Sequence, residues 1–264
     1  MISIVIPTFN EVNNIIPLIK NLLNLLKDFE HEIVIVDDDS PDGTSEIVNK
    51  YMKDYGTIKL ITRVGRSGLA SAIKEGLLFA QGKYSLVLDG DGQHDLSCIL
   101  PIIKEIDKGK YDLIIASRFL TSSKLEGLSN KRSLGSKWAN NLSRFSLSSN
   151  YSQITDYMSG CFVFKTISCI EEIKKIDVNG FKFLYELLAL TKGKLKIKEI
   201  PLQFKSRKFG YSKLDVAVIW DFVISLIHTF INRVIPRKAI SFGVVGSIGV
   251  LVHLAMVYFL INIF

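Results

Sequence analysis

Only three cysteines occur in the 264 residues, Cys98, Cys161 and Cys169, and their scatter matches neither a zinc motif nor a disulfide framework. An odd set of this kind fits a reducing cytoplasm and is expected to serve packing. No compact nucleic-acid-binding motif accompanies the net charge of +7 and the pI near 9.2, so phosphorylated substrates or anionic lipid explain the surplus of cations better than nucleic acid does. Charge itself is missing from Ala239 to Phe264, a run of 26 positions. That exceeds the roughly 20 apolar residues with which a helix crosses a bilayer. Nor does the N-terminus carry the pattern of a signal peptide, because it opens directly on the strand-like run Ile2 to Ile6.

With 48% hydrophobic residues and a mean hydropathy of +0.26, the chain is more apolar than most soluble domains, and much of the excess lies in that tail. Its polar exceptions are Ser241, Ser247, His253 and Asn262. Gly243, Gly246 and Gly249 give the small-residue spacing that suits helix packing in lipid, which predicts a helix partner or an oligomer. Arg233, Arg237 and Lys238 precede the span, and the positive-inside rule then places the preceding domain in the cytoplasm. The tail reads equally as a single pass or as the first span of a longer multi-span protein. Upstream, Val216, Ile219, Trp220, Val223, Leu226, Ile227, Phe230 and Val234 recur at helical spacing, interrupted by Asp221, Asn232 and Arg233. This predicts a helix in the membrane interface, with a second span as the alternative. The expected organisation is a catalytic domain at 1–214, an interfacial amphipathic helix at 215–236 and a transmembrane segment at 237–264.

Apolar β-branched runs recur at Ile2–Ile6, Ile33–Val36, Ile58–Ile61, Ser85–Leu88 and Leu113–Ala116, each followed by a turn and an amphipathic stretch. The alternation predicts a mostly parallel, doubly wound α/β sheet, whose chemistry sits beyond the carboxyl ends of its strands. At one such end stands Asp89-Gly90-Asp91-Gly92-Gln93-His94. Asp89 and Asp91 point the same way if the strand persists, Gly90 and Gly92 allow close approach, and Gln93 offers a third oxygen. Hard oxygen ligands suit Mg²⁺ or Mn²⁺ carrying a diphosphate, although an acidic turn would read the same in isolation. Asp37, Asp38, Asp39 and Asp42 crowd the end of the second run, which favours a functional role such as accepting hydrogen bonds from a nucleoside. Asn10, before the first helix, is a candidate cap. Gly65-Arg66-Ser67-Gly68 resembles a phosphate-binding turn without Walker or dinucleotide spacing. Lys131 to Lys137 opens a helix with cations, a potential anion site, and the Gly-hinged loop carrying Arg207 and Lys213 could close over a diphosphate.

Taken in order, Pro7-Thr8-Phe9-Asn10-Glu11, Val36-Asp37-Asp38-Asp39-Ser40-Pro41-Asp42-Gly43-Thr44, Asp89 to His94, Ser117-Arg118-Phe119, Asp156 with Ser159-Gly160, and Ser212-Lys213-Leu214 resemble polyprenyl-phosphate hexose synthases. These are family 2 glycosyltransferases, with dolichol-phosphate mannose synthase the nearest type, and the likeness covers about residues 1 to 215. It implies a GT-A fold, a sugar nucleotide donor, a divalent metal and a polyprenyl (dolichyl) phosphate acceptor. Carried over position by position, Pro7, Phe9, Glu11, Val36, Asp38 and Gly90 bind the donor nucleotide, with Arg207 and Lys213 on its diphosphate. Asp89, Asp91 and Gln93 hold Mg²⁺ or Mn²⁺; Arg118, Arg132 and Ser136 receive the acceptor phosphate; Asp89, Asp91 and Arg118 form the catalytic set. The chain departs from the family pattern at Phe9, where Tyr is usual, at Gly90 and Gly92, and in lacking the Pro pair after His94.

Such an enzyme is expected to transfer a hexose with inversion at the cytoplasmic face of the cell membrane. GDP-mannose is the expected donor, and UDP-glucose, used by relatives with similar motifs, is the alternative. The acceptor phosphate has a second pKa of about 6 and is largely dianionic at neutral pH, so a strong general base is not required. A processive polysaccharide synthase would carry Gln-x-x-Arg-Trp, and a nucleotidyltransferase a Gly-rich N-terminal signature; neither is present. A non-catalytic nucleotide-binding membrane protein would have no need of both aspartates together with the basic loop.

Overall fold

In the computed structural model, the structure describes the chain except residues 66–67, 122, 124–129, 178–181, 206–215 and 264, and except the side chains of 130–134, 137, 216–218 and 263. The chain divides into two compact units, Met1–Leu214 and Asp215–Phe264.

In the first unit the five apolar runs are strands: β1 (Ile2–Thr8), β2 (His31–Asp37), β3 (Ile58–Thr62), β4 (Tyr84–Leu88) and β5 (Leu113–Ser117). Two more, β6 (Cys161–Lys165) and β7 (Ile197–Pro201), complete a sheet of order β3-β2-β1-β4-β6-β5-β7. All neighbours are parallel except β6, which runs antiparallel to both β4 and β5. Helices α1 (Val12–Leu25), α2 (Thr44–Met52), α3 (Leu69–Phe79) and α4 (Ile99–Asp107) supply the crossovers. Beyond β5 come α5 (Asn130–Ser146), α6 (Thr166–Lys175) and α7 (Phe183–Thr191).

The central strands read as continuous apolar runs because both faces are covered. Successive side chains alternate across the sheet, so Ile4, Ile6, Ile33, Ile35, Leu86 and Leu88 join Ile15, Ile19 and Leu22 of α1 and Ile99, Ile102 and Ile106 of α4 in one core. Val5 and Val36 face the other way, against α3. There Gly76 lets helix and sheet approach closely, for an added Cβ would lie 2.5 Å from Val5 Cγ1 and 2.8 Å from Val36 Cγ2. The candidate cap Asn10 instead takes a left-handed φ of 55°, its N–H donating to Ser40 Oγ at 2.9 Å. Glu11 is the N-cap residue of α1, and instead of its own side chain Asp42 Oδ2 accepts the first helical amide, that of Val12, at 3.1 Å.

The second unit consists of α8 (Val216–Phe230) and α9 (Arg237–Ile263). Between them Asn232 and Arg233 adopt left-handed φ of 54° and 62°, breaking the helix before Pro236. Trp220 Nε1 donates to Ser241 Oγ at 3.3 Å, and Arg237 Nη2 to the Asp221 carbonyl at 3.1 Å, which pins the start of α9 to α8. Arg237–Asn262 is the one helix among the described residues long and apolar enough to cross a membrane, and its spanning window is not buried by protein.

Replacing Gly76 by Ala overpacks the α3–sheet contact. The expected loss is about 1–3 kcal/mol in chemical denaturation of the purified chain, with the fold retained.

Candidate active site

β1, β2, β4 and β5 end at one edge of the sheet, and β6 begins there because it is reversed: Leu88 pairs with Cys161. Thr8, Asp37, Asp89, Arg118 and Gly160 are thereby gathered from distant parts of the sequence. The strand does not persist to the aspartates. β4 ends at Leu88, so the orientation of Asp89 and Asp91 comes from the loop and not from the pleat.

Two glycines make room for that loop. A Cβ on Gly90 would lie 3.1 Å from both the Pro7 carbonyl oxygen and Thr8 Cγ2. A Cβ on Gly160 would collide with the Asp89 carboxylate, so only glycine can sit beneath it. Asp89 keeps 33% of its side-chain surface accessible but lies deep among protein atoms. Burial raises its pKa above the usual carboxylate range; the charge of Asp91 adds to the rise, while His94, Lys182 and Arg118 oppose it. His94 Nε2 stands 3.8 Å from Asp89 Oδ2, and its ring packs at 5.5 Å from Phe204.

Arg118 is tied to Asp156 by two bonds, Nε to Oδ2 at 2.8 Å and Nη2 to Oδ1 at 2.9 Å, and Asp156 is fully buried. The guanidinium also lies over Phe119 and Phe204, 5.5 and 5.9 Å from their ring centres. Burial alone would raise the Asp156 pKa, but the Arg118 charge and its donors outweigh this and hold the carboxyl below its usual range. Glu199 of β7 fixes the turn, accepting from the Thr155 and Asp156 amides at 2.9 and 3.0 Å. From α5, Asn140 Oδ1 accepts the Tyr157 N–H at 2.9 Å. Ser136 lies four residues earlier, on the same face of α5.

Gln93 is buried, its Nε2 donating to the Lys205 carbonyl at 3.1 Å. Lys205 N returns a bond to the Gln93 carbonyl at 2.8 Å, Asp95 N donates to Gln203 O at 3.0 Å, and His94 bridges Phe204. The aspartate loop is thus laced to residues 203–205. Among the described residues no group of three or more His, Cys, Asp or Glu converges as a metal cluster. Protein ligation of a divalent cation would rest on the two hard carboxylates Asp89 and Asp91, which suits an ion that keeps positions open for phosphate oxygens. A cation there would also relieve the repulsion and desolvation that raise the Asp89 pKa.

The crowded carboxylates after β2 are separated by the fold. Asp37 accepts from Thr8 Oγ1, Ser40 Oγ and Ser45 Oγ at 2.8, 2.6 and 2.8 Å. Asp42 accepts the Val12 and Thr44 amides at 3.1 and 3.0 Å, and Asp39, at φ 61°, takes the Gly65 amide at 3.2 Å. Asp38 bonds Arg63 Nη1 at 2.7 Å and the Gly68 amide at 2.8 Å. Donors from neighbouring strands and loops therefore relieve the crowding that pointed to a nucleoside. Pro7, Phe9, Glu11 and Asp38 do lie at the joined ends of β1 and β2. The Val36 side chain, fully buried under α3, offers a ligand only its backbone. Arg207 and Lys213, together with the side chain of Arg132, lie outside the described residues, as do Arg66 and Ser67.

The profile described as glycosyl transferase family 2 matches residues 3–171. The chain belongs to that family. Over 99% of its length it is 33% identical to the dolichol-phosphate mannosyltransferase of Pyrococcus furiosus, covering 73% of that protein. Its fold is similar to mannosyl-3-phosphoglycerate synthase from Rubrobacter xylanophilus, with a TM-score of 0.62 at 14% identity over 88% of this chain and 73% of that one. It is also similar to a mannosyltransferase from Pyrobaculum calidifontis in complex with GDP-mannose and Mn²⁺, at a TM-score of 0.58 and 16% identity, covering 88% of this chain and 64% of that one. The architecture of this glycosyltransferase is GT-A.

Two residues of the charged centre carry no sequence signal of their own. Lys182 stands between Phe181 and Phe183 just before α7, and burial, with the Arg118 charge, holds its pKa below the usual lysine range against the opposing pull of Asp89, Asp156 and Asp91. Glu199 sits in an exposed-looking alternation with Lys198, and burial raises its pKa. Only the pairing of β5 with β7 brings Glu199 to the Asp156 turn.

Gly160→Ala should displace Asp89 and reduce glycosyl transfer by roughly 100-fold or more, with the circular dichroism spectrum unchanged. Asp156→Asn should cost about 3–5 kcal/mol of stability by leaving Arg118 buried without its counter-charge. Because the folded Asp156 pKa is depressed, its contribution is present above the unfolded value of about 3.9 and is lost as pH falls through the folded one. The acid limb of a stability–pH profile should therefore be shallower in Asp156→Asn than in the wild type.

Proposed function

We propose that this glycosyltransferase transfers mannose from GDP-mannose to dolichyl phosphate, with inversion, at the cytoplasmic face of the membrane. The observation that carries the proposal is the 33% identity to a dolichol-phosphate mannosyltransferase along 99% of the chain, tail included.

Pro7, Phe9, Glu11, Asp38 and the Gly90 backbone bind the nucleotide in this reading, and Arg207 and Lys213 bind its diphosphate. Asp89 and Asp91 would hold Mg²⁺ or Mn²⁺, with Gln93 as the third candidate oxygen, and the ion neutralises charge on a departing diphosphate. Arg118 and Ser136, with Arg132, receive the acceptor phosphate. The geometry supports that role for the first two: Asp156 and two aromatic rings hold Arg118 in one orientation, and Asn140 turns the Ser136 face of α5 toward the same turn. Orientation of the two reactants supplies much of the acceleration. The acceptor arrives already largely dianionic, with a second pKa near 6, so Asp89 has no proton to remove.

The catalytic domain occupies 1–214, α8 and the following turn lie in the membrane interface, and α9 spans the bilayer. Arg233, Arg237 and Lys238 keep the catalytic side cytoplasmic.

Full-length protein in membranes, supplied with dolichyl phosphate and either labelled GDP-mannose or labelled UDP-glucose, should form metal-dependent mannolipid that EDTA abolishes. Glucolipid alone would overturn the donor assignment, and lipid product from a folded Asp91→Ala variant would overturn the assignment of the aspartates.

A further inference from the structure

We infer that Glu199 is a positioning residue for the acceptor phosphate, orienting Arg118 through a one-way relay of hydroxyl groups. The inference rests on the reading of Arg118 as a ligand of that phosphate given above.

Strand pairing sets up the contact. Glu199 of β7 is in register with Ile115 of β5, and Ser117 lies two residues on, so alternation turns Glu199 and Ser117 to one face of the sheet. Ile114 and Ala116 point the other way, into the core shared with α1 and α4. Thr155 fits between Glu199 and Ser117. Its N–H is shared by both Glu199 oxygens, at 3.0 and 2.9 Å, and its Oγ1 donates to Oε1 at 3.1 Å, where the Asp156 N–H also arrives at 3.0 Å. Burial raises the Glu199 pKa, and these donors oppose the rise. A protonated carboxyl would turn an O–H toward amides that can only donate, so the arrangement suits the ionised group, which accepts on both oxygens.

That charge state fixes the protons of the chain that follows. Thr155 has one hydroxyl proton and gives it to Glu199. In the 2.6 Å contact between Thr155 Oγ1 and Ser117 Oγ, Ser117 is therefore the donor. Its oxygen in turn accepts the Phe119 N–H at 3.2 Å. The relay thus grips the residues on both sides of Arg118, while Glu199 also holds the amide of Asp156, the ion-pair partner of Arg118. An amide at position 199 would donate to Thr155 Oγ1 instead of accepting from it. One hydroxyl proton of the relay would then lose its acceptor, and Ser117 is fully buried, where such a loss is costly.

Steady-state kinetics of the full-length protein in membranes, varying dolichyl phosphate and the sugar nucleotide separately, tests this. Glu199→Gln should raise the KM for dolichyl phosphate about tenfold, the effect of losing one hydrogen bond to a charged group, with the donor KM within about twofold of the wild type. Thr155→Val, which keeps the shape and removes the hydroxyl, should act in the same way, and Thr155→Ser should restore most of the loss. Glu199→Gln combined with Thr155→Val should match the poorer single variant within about twofold, because both break one relay. A fall in kcat with both KM values unchanged, an equal rise in both, or multiplying effects in the double variant would overturn the relay. Arg118→Lys separates the inference from its premise, since it too should raise the acceptor KM. If it does while Glu199→Gln and Thr155→Val do not, the relay alone fails. An unchanged acceptor KM in active Arg118→Lys protein would overturn the acceptor role of Arg118 and this inference with it.

Discussion

Strand β6 enters the sheet between β4 and β5 with its direction reversed, so that its first residue, Cys161, pairs with Leu88 at the edge where the parallel strands end. The segment leading into β6 therefore runs across the mouth of the site instead of along the far edge of the sheet. Gly160 comes to lie under Asp89, and Asp156 reaches Arg118 at the end of β5. Two further supports act on this segment: Glu199 from β7 through the 155–156 amides and Asn140 from α5 through the Tyr157 amide. Without the reversal, carboxylate and guanidinium would stand at strand ends with nothing to orient them.

The site that results is a low-dielectric arrangement of opposed charges. The Arg118–Asp156 pair is enclosed and internally satisfied, as a buried ion pair must be if it is not to destabilise the fold. Asp89, by contrast, keeps 33% of its side-chain surface accessible, and burial raises its pKa. The contrast separates an enclosed ion pair from a carboxylate that stays partly accessible. The lacing of residues 93–95 to 203–205 holds the aspartate loop on a rigid frame.

The acidic run after β2 shows how the same residue type divides between roles. Crowding in sequence suggests a ligand site, yet Asp37 and Asp42 spend their oxygens on hydroxyl and amide donors that tie β1, α1 and α2 together. Asp38 is anchored by Arg63 and by the Gly68 amide, contacts separated from it by 25 and 30 residues. Such donors come from other strands and loops, which local pattern reading does not bring together. Val36 is a similar case: its place in the motif is legible, but the alternation of the sheet turns its side chain into the α3 contact.

The amino-acid sequence by itself determined the alternation of buried strands and helices, the carboxylates at the end of β4, the apolar tail and the family, because each is written in local composition or in an ordered set of short motifs. Tertiary structure alone decided that β6 is reversed, that Gly160 must have no side chain, that Arg118 is held by Asp156, and that Lys182 and Glu199 join the centre. These depend on residues tens of positions apart meeting across a sheet, where burial strips away solvent and makes each charge answer to its nearest partner.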